Sequence, residues 1–324
     1  MPQNDASERW PPLPYDEWHE TAETLHLWLQ IVGKIALGQC PWVNHSWHVT
    51  LQITARGLGT RLMWHEQTSF QIDFDFIEHH LLIRVDDGRV AILPLVPQTT
   101  ATFYRNLMAA LADLDVPVAI NTMPSELPDP IAFDADDVHC AYDSKYAYRY
   151  WRVLLQSQRV FEQFRAQFVG KSSPVHYFWG SADLAVTRFS GRQAPPHPGG
   201  VPHLPDWVAR EAYSHEVSSA GFWAGSAQYP RAIFYSYAYP QPAEFEKARV
   251  APASAHYDDT LKEFVLPYEE MRTAASPESA LLEFLQSTYE SAANLARWDR
   301  QALERDSELT AQLRRRGPAS PSQP

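Results

Sequence analysis

One order of elements is written twice along this chain, and that doubling restricts the folds open to it more than any single motif. In the first pass, residues 21–37 place Leu25, Leu29, Val32 and Ala36 at three- and four-residue spacings, widened by Trp28, Ile31 and Ile35. That is the apolar stripe of a helix, with Gly38 and Pro41 after it as stop signals. Alternating runs follow: Trp47, Val49, Leu51 and Ile53, then Phe70, Ile72, Phe74 and Phe76, then Leu81, Ile83 and Val85. A two-residue period turns every second side chain to one face, so these runs predict half-buried strands. Asp86-Asp87-Gly88-Arg89 reads as a hairpin turn, because Gly accepts the positive φ such turns need. Residues 90–95 return, 99–114 read as a helix and 116–120 as a short extended run.

The second pass repeats the order. Residues 143–169 are the longest helical pattern, with Tyr146, Trp151, Leu154, Phe161, Phe164 and Phe168 on its apolar side. Residues 174–192, 213–222, 233–239 and 263–267 read as strands, the third with Tyr235, Tyr237 and Tyr239 on one face. Ser276-Pro277-Glu278 opens a helix running to about residue 298, Pro being at home in a first turn where its missing N–H has no partner to lose. Gly33-Lys34 answers Gly170-Lys171, His45 and Trp47 answer His176 and Trp179, and Leu93-Pro94 answers Leu266-Pro267. The expected fold is α+β: two similar halves from an internal duplication, each an antiparallel sheet with flanking helices. The expected divisions are a disordered segment at 1–14, a first half at 15–122, a linker at 123–142, a second half at 143–298 bearing the candidate site, and a charged, largely disordered tail at 299–324.

Charge and composition exclude several classes. The formal net charge of -12 opposes a phosphate backbone, which needs clustered Lys and Arg. The one basic run, Arg314-Arg315-Arg316, sits in the tail. No window approaches the uninterrupted apolar length of a membrane span, and no apolar signal segment opens the chain. Cys40 and Cys140 stand far apart and in no metal-ligand spacing. The expectation is a soluble cytoplasmic protein that binds neither nucleic acid nor membrane; no cofactor and no oligomeric state can be named.

Residues 173–192, 211–223 (Glu-Ala-Tyr-Ser-His-Glu-Val-Ser-Ser-Ala-Gly-Phe-Trp) and 264–289 resemble a mostly bacterial family catalogued as domain of unknown function 5996. The resemblance extends through 28–56 and 70–95 and covers roughly residues 15–300. It implies no activity, because the family has none assigned, and it carries over no catalytic residue.

Chemistry-bearing residues are densest in two segments expected to be neighbouring strands. One holds His176, Asp183, Arg188 and Arg192, the other Glu211, His215 and Glu216. The leading expectation is a small, anionic molecule bound in an aromatic-walled cleft, with Arg188 or Arg192 on the anionic group and Trp179, Tyr213 and Trp223 as apolar walls beside Asp183. A second reading is an enzyme using His176 and His215 with Glu211 or Glu216 as acid and base, with or without a metal. A third is a scaffold whose polar strands carry no ligand. Adjacent His215 and Glu216 point to opposite faces of a strand, so only one can enter a given pocket. No Gly-x-Ser-x-Gly elbow and no Gly-x-Gly-x-x-Gly after a strand is present, and no metal-ligand set is assigned.

Overall fold

In the computed structural model, which describes residues 9–306, helix α1 (His19–Gln39) is buried on nearly every side. Its apolar residues surround it instead of forming a narrow stripe, so it runs between the two halves and not along a surface. Trp28 stacks on Phe103 at 4.5 Å between ring centroids.

After α1 come β1 (Gln52–Ile53), β2 (Gly57–Gly59), β3 (Met63–His65), β4 (Thr68–Asp75), β5 (His80–Val85) and β6 (Val90–Pro94), then α2 (Thr100–Asp113). The first sheet is antiparallel in the order β1-β2-β4-β5-β6, with β3 on β4. Thr99 starts α2 by accepting the Thr102 N–H, the usual way an orphaned first-turn donor is satisfied.

The second half opens with α3 (Ser144–Arg165), capped by Asp143, which accepts from the Lys145 and Tyr146 N–H groups. Then follow β7 (His176–Phe178), β8 (Asp183–Gln193), α4 (Asp206–Ala212), β9 (His215–Trp223), β10 (Ile233–Tyr239), β11 (His256–Asp258), β12 (Glu263–Pro267), α5 (Tyr268–Arg272) and α6 (Pro277–Leu295). This sheet is also antiparallel and six-stranded, in the order β11-β12-β10-β9-β8-β7. The fold is therefore α+β with two similar halves, each a long helix, an antiparallel sheet and a closing helix. One continuous core serves both: Trp28, Leu51, Phe74, Tyr177, Phe222 and Phe284 belong to the same buried cluster.

Several local expectations change. Residues 174–192 are not one strand but the β7–β8 hairpin, turning at residues 179–182 with Ala182 in a left-handed conformation. The aromatic run on both sides of the turn hides it. Residues 47–50 are not a strand either; a 3-10 turn at Asn44–Ser46 precedes a β1 of two residues. Residues 116–120 pair with no strand. Glu211 lies on α4, and α3 ends at Arg165, short of Gly170. Gly33-Lys34 sits inside α1, so the element order repeats while that residue match does not. Trp10 and Leu13, expected in a loose leader, are buried, and the Tyr268 hydroxyl donates to the Pro11 carbonyl at 2.7 Å. Residues 300–303 form a further short helix. Residues 1–8 and 307–324, where the rest of the two expected disordered segments falls, lie outside the described residues.

The halves meet through Trp179, whose buried indole lies against Gly33 of α1 and donates to the Val49 carbonyl at 2.8 Å. A Cβ at position 33 would overlap that ring. In a helix interior Gly→Ala ordinarily gains about 1 kcal/mol, but overpacking a fixed core ring costs about 1–3 kcal/mol. Gly33→Ala is therefore expected to lower the urea midpoint of unfolding, whereas Gly38→Ala, with open space around it in the same helix, leaves it unchanged or raises it. Equal responses of the two variants would show that Trp179 does not brace α1.

Candidate functional site

The second sheet buries one face under helices and leaves the other to form the floor of a cavity of about 800 Å³. Register decides which residues face it. Asp183 pairs with Trp223 and Trp223 with Ile233, while Ala185, Gly221, Tyr235 and Val265 form the next row and Ser219, Tyr237 the row after. Side chains alternate along each strand, so Asp183, Trp223, Ile233, Tyr235 and Tyr237 share this face. Ile233, Tyr235 and Val265 make an apolar patch separate from the main core, with Trp223, Tyr229, Tyr237 and Leu261 around it.

Gly221 lets the floor take its shape. A Cβ there would overlap the Tyr235 hydroxyl and the Leu184 carbonyl. Without one, the Tyr235 phenol crosses β9 and donates to Asp183 Oδ2, while the Ser181 hydroxyl donates to Oδ1. The Tyr213 and Tyr237 hydroxyls bond to each other at 2.8 Å, and the Tyr150 hydroxyl donates to Tyr177 at 3.0 Å.

The opposite wall comes from α1 and from the segment between the halves. Gln30 holds Ser125 by two bonds, accepting its N–H at 2.8 Å and donating to its carbonyl at 2.9 Å. Lys34 donates to the Ser125 hydroxyl at 3.0 Å. This clamp sets Glu126, which is in a left-handed conformation with its N–H on the Pro202 carbonyl, against Gly180 at the cavity wall. His26 also lines the wall. Its Nε2 lies 2.9 Å and 3.0 Å from the Trp179 and Gly180 carbonyls and 3.1 Å from the Gln30 amide nitrogen.

The charge inventory is one-sided. Glu23, Glu126, Asp129, Asp183 and Glu263 line the cavity, with His26 and His139, and neither Lys nor Arg is among the lining residues. Burial, reinforced by the charge of Asp183, pushes the Glu126 carboxyl up to about 7. Burial, then the charges of Asp183 and Asp258, pushes Glu263 up to about 8. Burial also raises Asp183, although Ser181 and Tyr235 oppose it, and lowers His26, which is therefore held neutral.

Of the residues singled out in the sequence, Asp183, Tyr213 and Trp223 line this cavity. The others are elsewhere. Arg188 follows Asp183 by five positions, which puts it on the helix-covered face. There it lies over the rings of Phe164 at 3.5 Å and Tyr289 at 4.2 Å and donates to the Phe164 carbonyl. Arg192 is exposed and held by Glu216 at 2.6 Å and the Ala296 carbonyl. Neither arginine meets the cavity, which removes the basis for expecting an anionic ligand there. Trp179 braces α1 from the core, and its carbonyl, not its ring, serves the site by holding His26. His176 is buried with neither ring nitrogen bonded, packed on Phe178 and Trp47; burial lowers it to about 3. Glu211 and His215 each lie near His45, and neither is placed at His176. The acid–base set expected of His176, Glu211, His215 and Glu216 is thus not assembled. Among the described residues, no group of three or more His, Cys, Asp or Glu is placed to hold a metal ion, and no helix is long and apolar enough to cross a membrane.

Sequence reasoning did not single out His26, Glu126, Tyr150, Tyr177, Tyr235, Tyr237 and Glu263, which line the cavity. The shared face of Tyr235 and Tyr237 was a usable signal; Glu126 gave none, because it lies in a stretch without periodicity.

The raised carboxyls make stability depend on pH. Above the ordinary Glu value of 4.5 the unfolded chain releases protons that folded Glu126 and Glu263 still hold. Each residue's contribution therefore falls as pH climbs from about 4.5 to its folded value, and stays low above it. Calorimetric melting should show Glu263→Gln raising Tm at pH 8.5 while moving it little at pH 4.5. A variant that shifts Tm equally at both would contradict a buried, proton-holding carboxyl.

The comparisons with known proteins bear on the chain as a whole. No curated protein and no solved structure matches it. A family model matches residues 10–305, nearly all of the described chain. The chain belongs to the family described as "Family of unknown function (DUF5996)".

Proposed function

We propose that the cavity binds a small organic cation, a molecule bearing a protonated amine or a quaternary ammonium group. The observation that carries this reading is the pairing of five acidic side chains with no Lys or Arg in a hollow walled by Trp18, Tyr150, Tyr177, Tyr213, Trp223, Tyr235 and Tyr237. Aromatic faces present negative quadrupole to a cation, worth about 0.5–2 kcal/mol per contact and most in a desolvated site. Carboxylates supply the remaining attraction and accept any N–H the ligand offers. The volume of about 800 Å³ falls in the usual range for small-molecule sites.

The elevated Glu126 and Glu263 fit the same reading. Buried carboxyls avoid ionising alone because an unpaired buried charge is costly. A cation entering between Asp183, Glu126 and Glu263 supplies the missing countercharge, so those groups ionise and release protons as it binds. Affinity for a permanently charged ligand should then rise from pH 6 to pH 8.5, since only the deprotonated carboxyls pair with it.

Titration calorimetry of the full chain tests this with choline and agmatine as cations, 3,3-dimethylbutan-1-ol as the neutral counterpart of choline, and succinate as the anion. The expected result is binding of the cations alone, with an observed heat that varies linearly with buffer ionisation enthalpy because protons are released. Asp183→Asn should weaken it about tenfold or more, the loss of one charge-assisted contact of about 1.4 kcal/mol. Binding of the neutral alcohol or of succinate as tightly as choline would overturn the proposal.

A further inference from the structure

A second set of reactive groups lies outside the cavity, where α4 and the 3-10 turn at Asn44–Ser46 meet. Lys171 Nζ is 2.6 Å from His45 Nε2 and sits over the rings of Phe189 at 4.7 Å and Trp47 at 5.4 Å. His45 Nδ1 is 3.0 Å from the Ala212 carbonyl. A carbonyl only accepts, so Nδ1 carries the proton and Nε2 offers its lone pair to the lysine. Among the described residues no carboxylate forms an ion pair with Lys171. The chain also holds His45 and Ser46 in consecutive left-handed conformations, φ 59° and 58°. For residues other than Gly each such conformation costs about 1–2 kcal/mol. Glu211 helps to stabilise the turn by accepting the His45 N–H at 3.3 Å and the Trp42 indole N–H at 3.1 Å.

From this geometry we infer that Lys171 and His45 form a reactive amine site that condenses with small aldehydes and ketones. His45 Nε2 takes one proton from the Lys171 ammonium, and the freed lone pair on Nζ attacks the carbonyl carbon. The resulting carbinolamine loses its oxygen as water, with His45 returning the proton that lets the hydroxyl leave. Overall the two hydrogens of the neutral amine depart with the carbonyl oxygen, and a C=N bond replaces C=O; no electrons are exchanged and no further reagent is required. The titratable groups facing the pair are Glu211 from α4 and His215 from β9. Burial lowers both Lys171 and His45, and the neighbouring charge of Lys171 depresses His45 further. Lys171 remains exposed enough for a ligand to reach it.

The chain supplies its own controls, because Lys145, Lys247 and Lys262 are exposed and Lys34 is buried. The full-length protein is treated with butanal and sodium cyanoborohydride at pH 7, and the N-butylated lysines are quantified by peptide mass spectrometry over time. Lys171 should react several-fold faster than Lys145, Lys247 and Lys262, because the His45 Nε2 acceptor beside it takes the proton that the other three keep. His45→Asn keeps a residue type that tolerates the left-handed backbone but removes the Nε2 acceptor, and should bring Lys171 down to the rate of the other three. Reaction of Lys171 at or below their rate in the unaltered protein would overturn the inference, and that comparison holds even if the variant fails to fold.

Discussion

The backbone between Val49 and Thr54 is where the two halves become one molecule, and the rest of the architecture depends on how its polar groups are satisfied. Leu51 and Tyr177 exchange two N–H to carbonyl bonds, both 2.9 Å, with both residues fully buried. The Trp179 indole takes the Val49 carbonyl and the Trp151 indole takes that of Thr54 at 3.1 Å. Buried backbone groups must find partners, and here the second half provides them. That explains why alternation over residues 47–54 produces a strand of only two residues: the neighbouring groups are held by side chains and by an isolated bridge instead of a continuous ladder.

This junction also fixes the cavity. Tyr177, tied to Leu51 through its backbone, places its ring where Tyr150 bonds to it. Trp179, tied to Val49, turns its carbonyl and that of Gly180 toward His26. Glu126 then completes the wall from the segment that crosses between the halves. A single buried carboxyl without a partner is a destabilising feature; the charge of Asp183 also opposes ionisation of both Glu126 and Glu263. Such departures from the best local solution tend to occur where a site needs them, and the Gln30–Ser125 clamp is the compensation that keeps Glu126 in place.

What the sequence disclosed follows from how local each signal is. Residues 233–239 and 263–267 coincide with β10 and β12, because alternation and flanking turns are properties of a few neighbouring residues. The same parity separates Asp183 from Arg188 across the sheet, so the split of that expected pair was already legible in their spacing. Glu126 was not legible: its stretch of Ser and Pro has the composition of a linker, and only Gln30 and Lys34 of a distant helix make it a wall. His26 sits among apolar helical residues and looks like core until the carbonyls of Trp179 and Gly180 are brought to it. Glu211 was read onto a strand because α4 is one short helix whose pattern is too brief to distinguish from extended chain.

Strand β8 links the two chemistries and also keeps them apart. Asp183 and Phe189 are six residues apart on the same face, about 20 Å along a strand at about 3.3 Å per residue. The first residue of β8 is thus a carboxylate of the cavity, and Phe189, farther along the same strand, carries the ring beneath Lys171. At physiological salt, fields from accessible charges decay over about 8 Å, so a single positive charge on Lys171 exerts little force on a cation at Asp183. The acidic cavity and the lysine–histidine pair therefore titrate as separate units. A ligand large enough to touch both would have to span about 20 Å, the length of the strand segment between them.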